Sequence, residues 1–222
     1  NLINMESNRR EFLKKTGIGA AGLMLGGMSV SAKSYKRILG ANDRLQIALV
    51  GLGRRLGGYI EPVSKKSSNI DLRYLVDVMP SQLDNAAKIF AEKSDHKPKL
   101  AADIRKVLED KNLDAIFNAT PDHWHTPGSI MAMQAGKHVY VEKPCSHNMF
   151  ENEMLVAAAK KYDRVVQMGN QQRSSDHTIE VIKAIHDGVI GVPYKAVAFY
   201  TNKRGAVPNQ KPAAVPGGLN WD

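Results

Sequence analysis

The stretch Leu45–Gly58, LQIALVGLGRRLGG, limits what this chain can fold into more than any other. A short apolar run ends abruptly in glycines and gives way to residues that can start a helix. A parallel strand buried on both faces reads this way, feeding a tight turn and then a helix. Such a turn brings backbone N–H groups and the positive end of a helix up to a phosphate. Gly51 and Gly53 take the first two places of the dinucleotide fingerprint, whereas Leu56 stands in the third and Gly57 comes one residue late. On these residues alone, a strand–turn–helix without a ligand reads equally well.

Beyond Gly58 the chain alternates in the same sense. Strands are predicted over 71–76, 115–119, 138–141 and 164–168, with helices over 81–93, about 128–135, 150–162 and 178–187 and a helical turn at 104–108. This order implies a doubly wound parallel α/β sheet with right-handed crossovers. The chain has 222 residues, 43% of them hydrophobic, enough for one domain and part of another. Its formal charge is +9, but the basic residues are scattered and no basic run is interleaved with aromatics, which argues against a nucleic-acid face. Cys145 is the only cysteine, so an internal disulfide is excluded.

The first forty residues read as targeting rather than fold. Asn8-Arg9-Arg10-Glu11-Phe12-Leu13-Lys14-Lys15 precedes an apolar, glycine-rich run from Gly17 to Ala32, and Val30-Ser31-Ala32 offers small residues for cleavage. That is the layout of a twin-arginine export signal over 1–33, with a linker over 34–43. An amphipathic helix or a membrane anchor is the other reading. The anchor is disfavoured because a span needs about 20 apolar residues. The expectation is an exported, periplasmic protein with no lasting membrane span, which carries its cofactor out already folded around it.

Three strand ends carry the candidate chemistry. Asp77 closes the second strand at the distance, roughly 20 residues past the glycines, where an acid meets the ribose hydroxyls of NAD and repels the 2′-phosphate of NADP. It would otherwise cap the helix that Pro80 and Ser81 begin. The loop Thr120-Pro121-Asp122-His123-Trp124-His125 lies where open α/β sheets bind ligands. It reads as a flank for a nicotinamide ring, as helix capping by Thr126 with packing by Trp124, or as a metal site, which no carboxylate or cysteine spacing completes. Val141-Glu142-Lys143-Pro144 ends the next strand. Lys143 there can donate as an ammonium or, with its pKa lowered by dehydration, exchange a proton; snorkelling from a strand end is the plainer fate. Glu142 would orient it or meet a ribose, and Lys143–Pro144 is expected to be a cis peptide.

Gly-Leu-Gly, Asp77, Thr120-Pro121 with His125, Ala135-Gly136-Lys137-His138-Val139 and Glu142-Lys143-Pro144 together resemble the Gfo/Idh/MocA oxidoreductases, the relatives of glucose–fructose oxidoreductase and inositol dehydrogenase. The resemblance covers nearly all of 45–200. It implies an NAD-binding Rossmann domain over 44–170. The start of a second α+β domain with an open antiparallel sheet would follow over 171–222, its first strand at Tyr194–Tyr200 and its remainder beyond this chain, as in a truncated product or a fragment. It implies that Gly51, Leu52, Gly53, Arg54 and Arg55 line the pyrophosphate and that Asp77 takes the adenosine ribose. Thr120, Pro121 and His125 would border the cofactor, Glu142 and Lys143 would sit by the nicotinamide, and Lys143 would be the catalytic lysine. Leu56 in place of the third glycine puts tight helix–strand packing at issue. Asn170, Gln172 and Arg173 would meet nicotinamide or sugar hydroxyls; helix capping or interdomain packing is the alternative for each. The implied activity is hydride transfer between NAD and a sugar or cyclitol, in a protein that is a homo-oligomer at full length and retains its cofactor. A glycoside hydrolase using NAD transiently and a non-catalytic nucleotide- or carbohydrate-binding domain are the rival readings.

Overall fold

The computed structural model describes residues 44–199, 201, 212 and 214–219. The expected export signal, linker and Tyr200 lie outside these residues. Internal contacts set Arg44–Asp222 apart as one unit. Among the described residues its sheet has six strands, all parallel: β1 (Leu45–Val50), β2 (Ile70–Val76), β3 (Lys99–Ala101), β4 (Ala115–Asn118), β5 (His138–Glu142) and β6 (Val166–Gly169). Their spatial order is β3-β2-β1-β4-β5-β6, the doubly wound arrangement expected from the alternating pattern. Between them run α1 (Gly57–Ser64), α2 (Pro80–Lys93), α3 (Ile104–Leu108), α4 (Asp122–Gln134) and α5 (Met149–Tyr162), and α6 (Asp176–His186) comes after the sheet.

Side chains of β1 alternate between two cores, which is why the run reads as continuously apolar. Ile47 and Leu49 pack with Tyr59 and Val63 of α1 and Leu83, Ala86 and Phe90 of α2. Ala48 and Val50 pack on the other face with Val107 and Leu108 of α3, Ala132 and Met133 of α4, and Leu155 and Ala158 of α5. Each fully buried Leu, Ile or Phe stabilises such a core by about 1.5–3 kcal/mol. Leu56, in the third-glycine position, is 4% exposed and joins the α1–α2 core. The turn tolerates it because Leu56 donates its N–H to Gly53 and α1 starts one residue later.

Several boundaries differ from those expected. β3 has no counterpart among the predicted strands; three residues at a sheet edge carry too little pattern. α4 begins at Asp122, not near Gly128, so the expected loop Thr120–His125 contains the helix's first turn. That turn persists ahead of Pro127 because it is held from outside: Asn118 Nδ2 donates to the carbonyls of Trp124 and His125. Thr126 is therefore inside α4 and caps nothing; its hydroxyl donates to Cys145 O. The sixth strand starts at Val166 rather than Arg164. Asp163 ends α5 with φ +50° and Arg164 N–H returns to Ala159 O, so both residues close the helix. Residues 194–199 form no strand, since a strand exists only beside a hydrogen-bonded neighbour and β6 is the last among the described residues.

Candidate functional site

Because every strand is parallel, the residues just past their ends share one edge. Val50 lies level with Val76 on one side and Asn118 on the other, Asn118 with Val141, and Glu142 with Gly169. Gly51, Asp77, Thr120, Lys143 and Asn170 thus stand at successive strand ends. The crevice between β1 and β4, where the strand order reverses, lies among them.

The glycine turn is built by close backbone approach. Gly51 has φ +84°, and a Cβ on it would lie 2.6 Å from the backbone of Ala119 and Thr120. Its N–H donates to Val76 O, and the next, Leu52 N–H, donates to Asp77 Oδ2 at 2.8 Å. Asp77 Oδ1 accepts from Met79 N–H, so the carboxylate ties the glycine turn to the entry of α2, where Met79 is the N-cap and Pro80 the first residue. The side chain supports the helix start, as the capping alternative expected, and stands beside the glycine turn. The space over Gly53 is open, with nothing within 4 Å of where its Cβ would be. A ligand backbone can therefore approach there, at the start of α1. Among the described residues, the N–H groups of Gly53, Arg54 and Arg55 remain for an anion, those of Gly51 and Leu52 being bonded internally. Open space at Gly53, closed packing at Gly51 and a carboxylate at the next strand end fit a dinucleotide.

Arg54 is exposed, but Arg55 turns inward. Its Nε donates to Glu142 Oε1 at 2.7 Å, and its guanidinium lies 5.5 Å above the Tyr59 ring. Glu142 is 5% exposed, and the same oxygen accepts from Tyr59 Oη at 3.0 Å and Gln171 Nε2 at 2.7 Å. Burial pushes the Glu142 carboxyl up, but the hydrogen bonds from Arg55 and Tyr59 and the arginine charge outweigh it and hold the pKa below the usual range. Tyr59 is pushed up by burial and by Glu142, so it remains a phenol and donates. Glu142 Oε2 accepts from Lys143 N–H at 3.3 Å. The carboxylate thus holds the backbone that carries Lys143. Lys143 itself is exposed at the edge, and the Lys143–Pro144 bond is cis as expected.

His125 is 2% exposed, with Nδ1 against Pro144 O. A carbonyl only accepts, so Nδ1 carries the proton, which leaves Nε2 buried without a partner among the described residues. Asn118, which sequence reasoning does not single out, is fully buried. Its Oδ1 accepts from Thr120 N–H and Thr120 Oγ1, while its Nδ2 anchors α4. It fixes Thr120 and, through α4, His125 and Trp124, the last of these 47% exposed. A polar residue inside an apolar strand is the signal that could have found it. Gln171 is likewise missed, and nothing in its neighbourhood points to a partner 29 positions away. Pro121, Asn170, Gln172 and Arg173 are exposed beyond β4 and β6, with Arg173 N–H donating to Asn170 O.

Among the described residues no helix is long and apolar enough to cross a membrane. Residues 45–170 match the family described as "Oxidoreductase family, NAD-binding Rossmann fold", Gfo/Idh/MocA. A "Glycosyl hydrolase family 109 protein" of Shewanella pealeana is 23% identical over 90% of this chain and 47% of its own length. The scyllo-inositol dehydrogenase of Lactobacillus casei, solved with NAD(H) and scyllo-inositol, is 25% identical, with a TM-score of 0.60 over 67% of this chain and 42% of that one. The WlbA dehydrogenase of Bordetella pertussis, solved with NADH and UDP-GlcNAcA, is 26% identical, with a TM-score of 0.59 over 65% and 42%. This chain spans less than half the length of these relatives. It is a member of the Gfo/Idh/MocA oxidoreductase family and carries that family's NAD-binding Rossmann domain.

Proposed function

We propose that the whole protein transfers hydride between NAD and a hydroxyl-bearing carbon of a sugar or cyclitol, with Lys143 assisting the hydroxyl proton. The observation that carries this reading is the shared edge: open glycine turn, Asp77 and exposed Lys143 stand at the ends of β1, β2 and β5 of one parallel sheet. The turn from Gly53 to Arg55 would hold the pyrophosphate and Asp77 the adenosine ribose, its charge opposing the extra phosphate of NADP. Thr120, Pro121, His125, Glu142 and Asn170 would border the ring, and Gln172 and Arg173 would reach the substrate. Bound NAD supplies the hydride acceptor. As the neutral amine Lys143 would take the hydroxyl proton on oxidation, and the ammonium so formed would return it to the carbonyl oxygen in the reverse direction.

Three further arrangements belong to the same reading: export by the twin-arginine route, a homo-oligomer at full length, and a second domain that starts at residue 171. The name of the Shewanella relative favours a second reading, a glycoside hydrolase that uses NAD transiently. NADH titration of the 222-residue chain, followed by energy transfer from tryptophan, tests the cofactor. In the longer protein Lys143→Met is expected to lower turnover about 10²–10⁴-fold while NADH affinity stays within a few-fold. Net NADH formation with a polyol supports the oxidoreductase; sugar release without it supports the hydrolase. Turnover unaffected by Lys143→Met would overturn both roles for the lysine.

A further inference from the structure

We propose that Arg55 is a positioning residue for the end of β5, not a ligand of the cofactor's phosphates, and that it acts by holding Glu142 beneath Lys143. This rests on the NAD-dependent reading and deepens it. The sequence places two arginines directly after the glycines, and both look alike as phosphate ligands. The structure separates them. Arg55, its side chain 40% exposed, reaches a residue 87 positions away and bonds the buried Glu142 at 2.7 Å, whereas Arg54 makes no such contact among the described residues.

Four features make that arrangement directional. First, Glu142 Oε1 collects three donors, from Arg55, Tyr59 and Gln171, so its orientation is determined from α1 and from the segment after β6 together. Second, Glu142 Oε2 is left to receive Lys143 N–H. Third, Gly58 makes room for the arginine: a Cβ there would stand 2.9 Å from Arg55 Nη1 and 3.0 Å from Cζ. Fourth, Gly169 does the same for the opposite side, since a Cβ on it would meet Tyr140 Oη at 2.6 Å and Gln171 Nε2 at 2.9 Å. Arg55 is also the only cation paired with this carboxylate among the described residues. Its Nε is committed to this carboxylate, which turns the guanidinium towards the end of β5.

A double-mutant cycle decides between the two roles, because residues acting through one contact are non-additive. Arg55→Met, Glu142→Gln and the double variant are made in the 222-residue chain and compared for apo melting temperature and NADH affinity. The expected result is coupling in both: Arg55→Met lowers the melting temperature and weakens NADH severalfold, yet changes neither appreciably once Glu142 is glutamine. In Arg55→Met alone, the acid limb of NADH affinity should move to higher pH, as the carboxylate that has lost its cation takes up a proton more readily; in the Glu142→Gln background that limb is absent. Should Arg55→Met fail to fold while the double variant folds, that rescue is the coupling in its strongest form. Additive melting temperatures overturn the proposal. So does an undiminished loss of NADH affinity from Arg55→Met in the Glu142→Gln background, which is the signature of a phosphate ligand. If the unaltered chain binds no NADH, the cofactor reading fails by itself, and the apo cycle still judges whether Arg55 holds Glu142.

Discussion

A methyl group at Gly51 would lie 2.6 Å from the carbonyl of Ala119, on a backbone with φ +84° that side chains avoid. The conformational cost of about 1–2 kcal/mol and the overlap with backbone of about 1–3 kcal/mol add at this position. Gly51→Ala is therefore expected to destabilise the chain by ~2–5 kcal/mol, read by urea unfolding. Gly58 behaves differently, because what stands near it is a side chain. Alanine favours a helix over glycine by up to about 1 kcal/mol. In the unaltered chain that gain is opposed by displacing Arg55 from Glu142, a charge-assisted contact worth about 1.5–3 kcal/mol. Gly58→Ala should then be neutral or destabilising by itself and stabilising by up to ~1 kcal/mol in an Arg55→Ala background. A gain of equal size in both backgrounds would show that the guanidinium does not need the space.

At the scale of elements, legibility in the sequence depends on whether the signal is local. The apolar run into Gly51 and Gly53, the strand-end Asp77 and the turn Glu142-Lys143-Pro144 are contiguous, and the structure gathers them at one sheet edge. The union of Arg55 with Glu142 spans 87 positions and leaves no mark in either neighbourhood. β3 escapes because its three residues take their strand character from β2, and the expected start of α4 is late because Pro127 normally ends a helical pattern. The residue that overrides it, Asn118, comes from another element. Where capping is local, the sequence does carry it: Asn148 accepts from Glu151 N–H at 3.0 Å and Glu151 returns to His147 N–H at 2.8 Å, a reciprocal cap on α5. This cap orients the helix next after the lysine turn. Asn148→Ala should cost ~1 kcal/mol of stability in chemical denaturation, with Asn148→Asp close to neutral.

Across the whole molecule, the two edges of the sheet divide the work, and pH can tell them apart. At the amino-terminal edge Asp110 joins three elements. Its Oδ2 accepts from Arg73 at 2.8 Å and from Tyr74 Oη at 3.0 Å, its Oδ1 from Asn112 N–H at 2.9 Å, and its backbone carbonyl takes the buried Lys137 ammonium at 2.6 Å. Arg73 is available because β2 bulges there, Ile47 pairing with Leu72 and Ala48 with Tyr74. Burial pushes the Asp110 carboxyl up, but the bonds from Asn112, Arg73 and Tyr74 prevail and bring it to about 2 from 3.8. A carboxyl whose pKa is lower when folded stabilises above its unfolded value, and that contribution fades as pH falls from about 4 towards 2. Discounted for the partly solvated site, it amounts to roughly 1–2 kcal/mol. Glu142 contributes with the same sign from the opposite edge, so the acid limb of the stability curve reports both. Asp110→Asn should lower stability at neutral pH by about that amount and flatten the curve between pH 4 and 2, while NADH affinity at pH 7 stays as in the unaltered chain. Glu142→Gln should also flatten the acid limb, but with a change in NADH affinity. Urea unfolding across pH 2–7 beside NADH titration at pH 7 separates the two. If Asp110→Asn alters cofactor affinity, or keeps the original acid limb, the division of stability and chemistry between the edges is wrong.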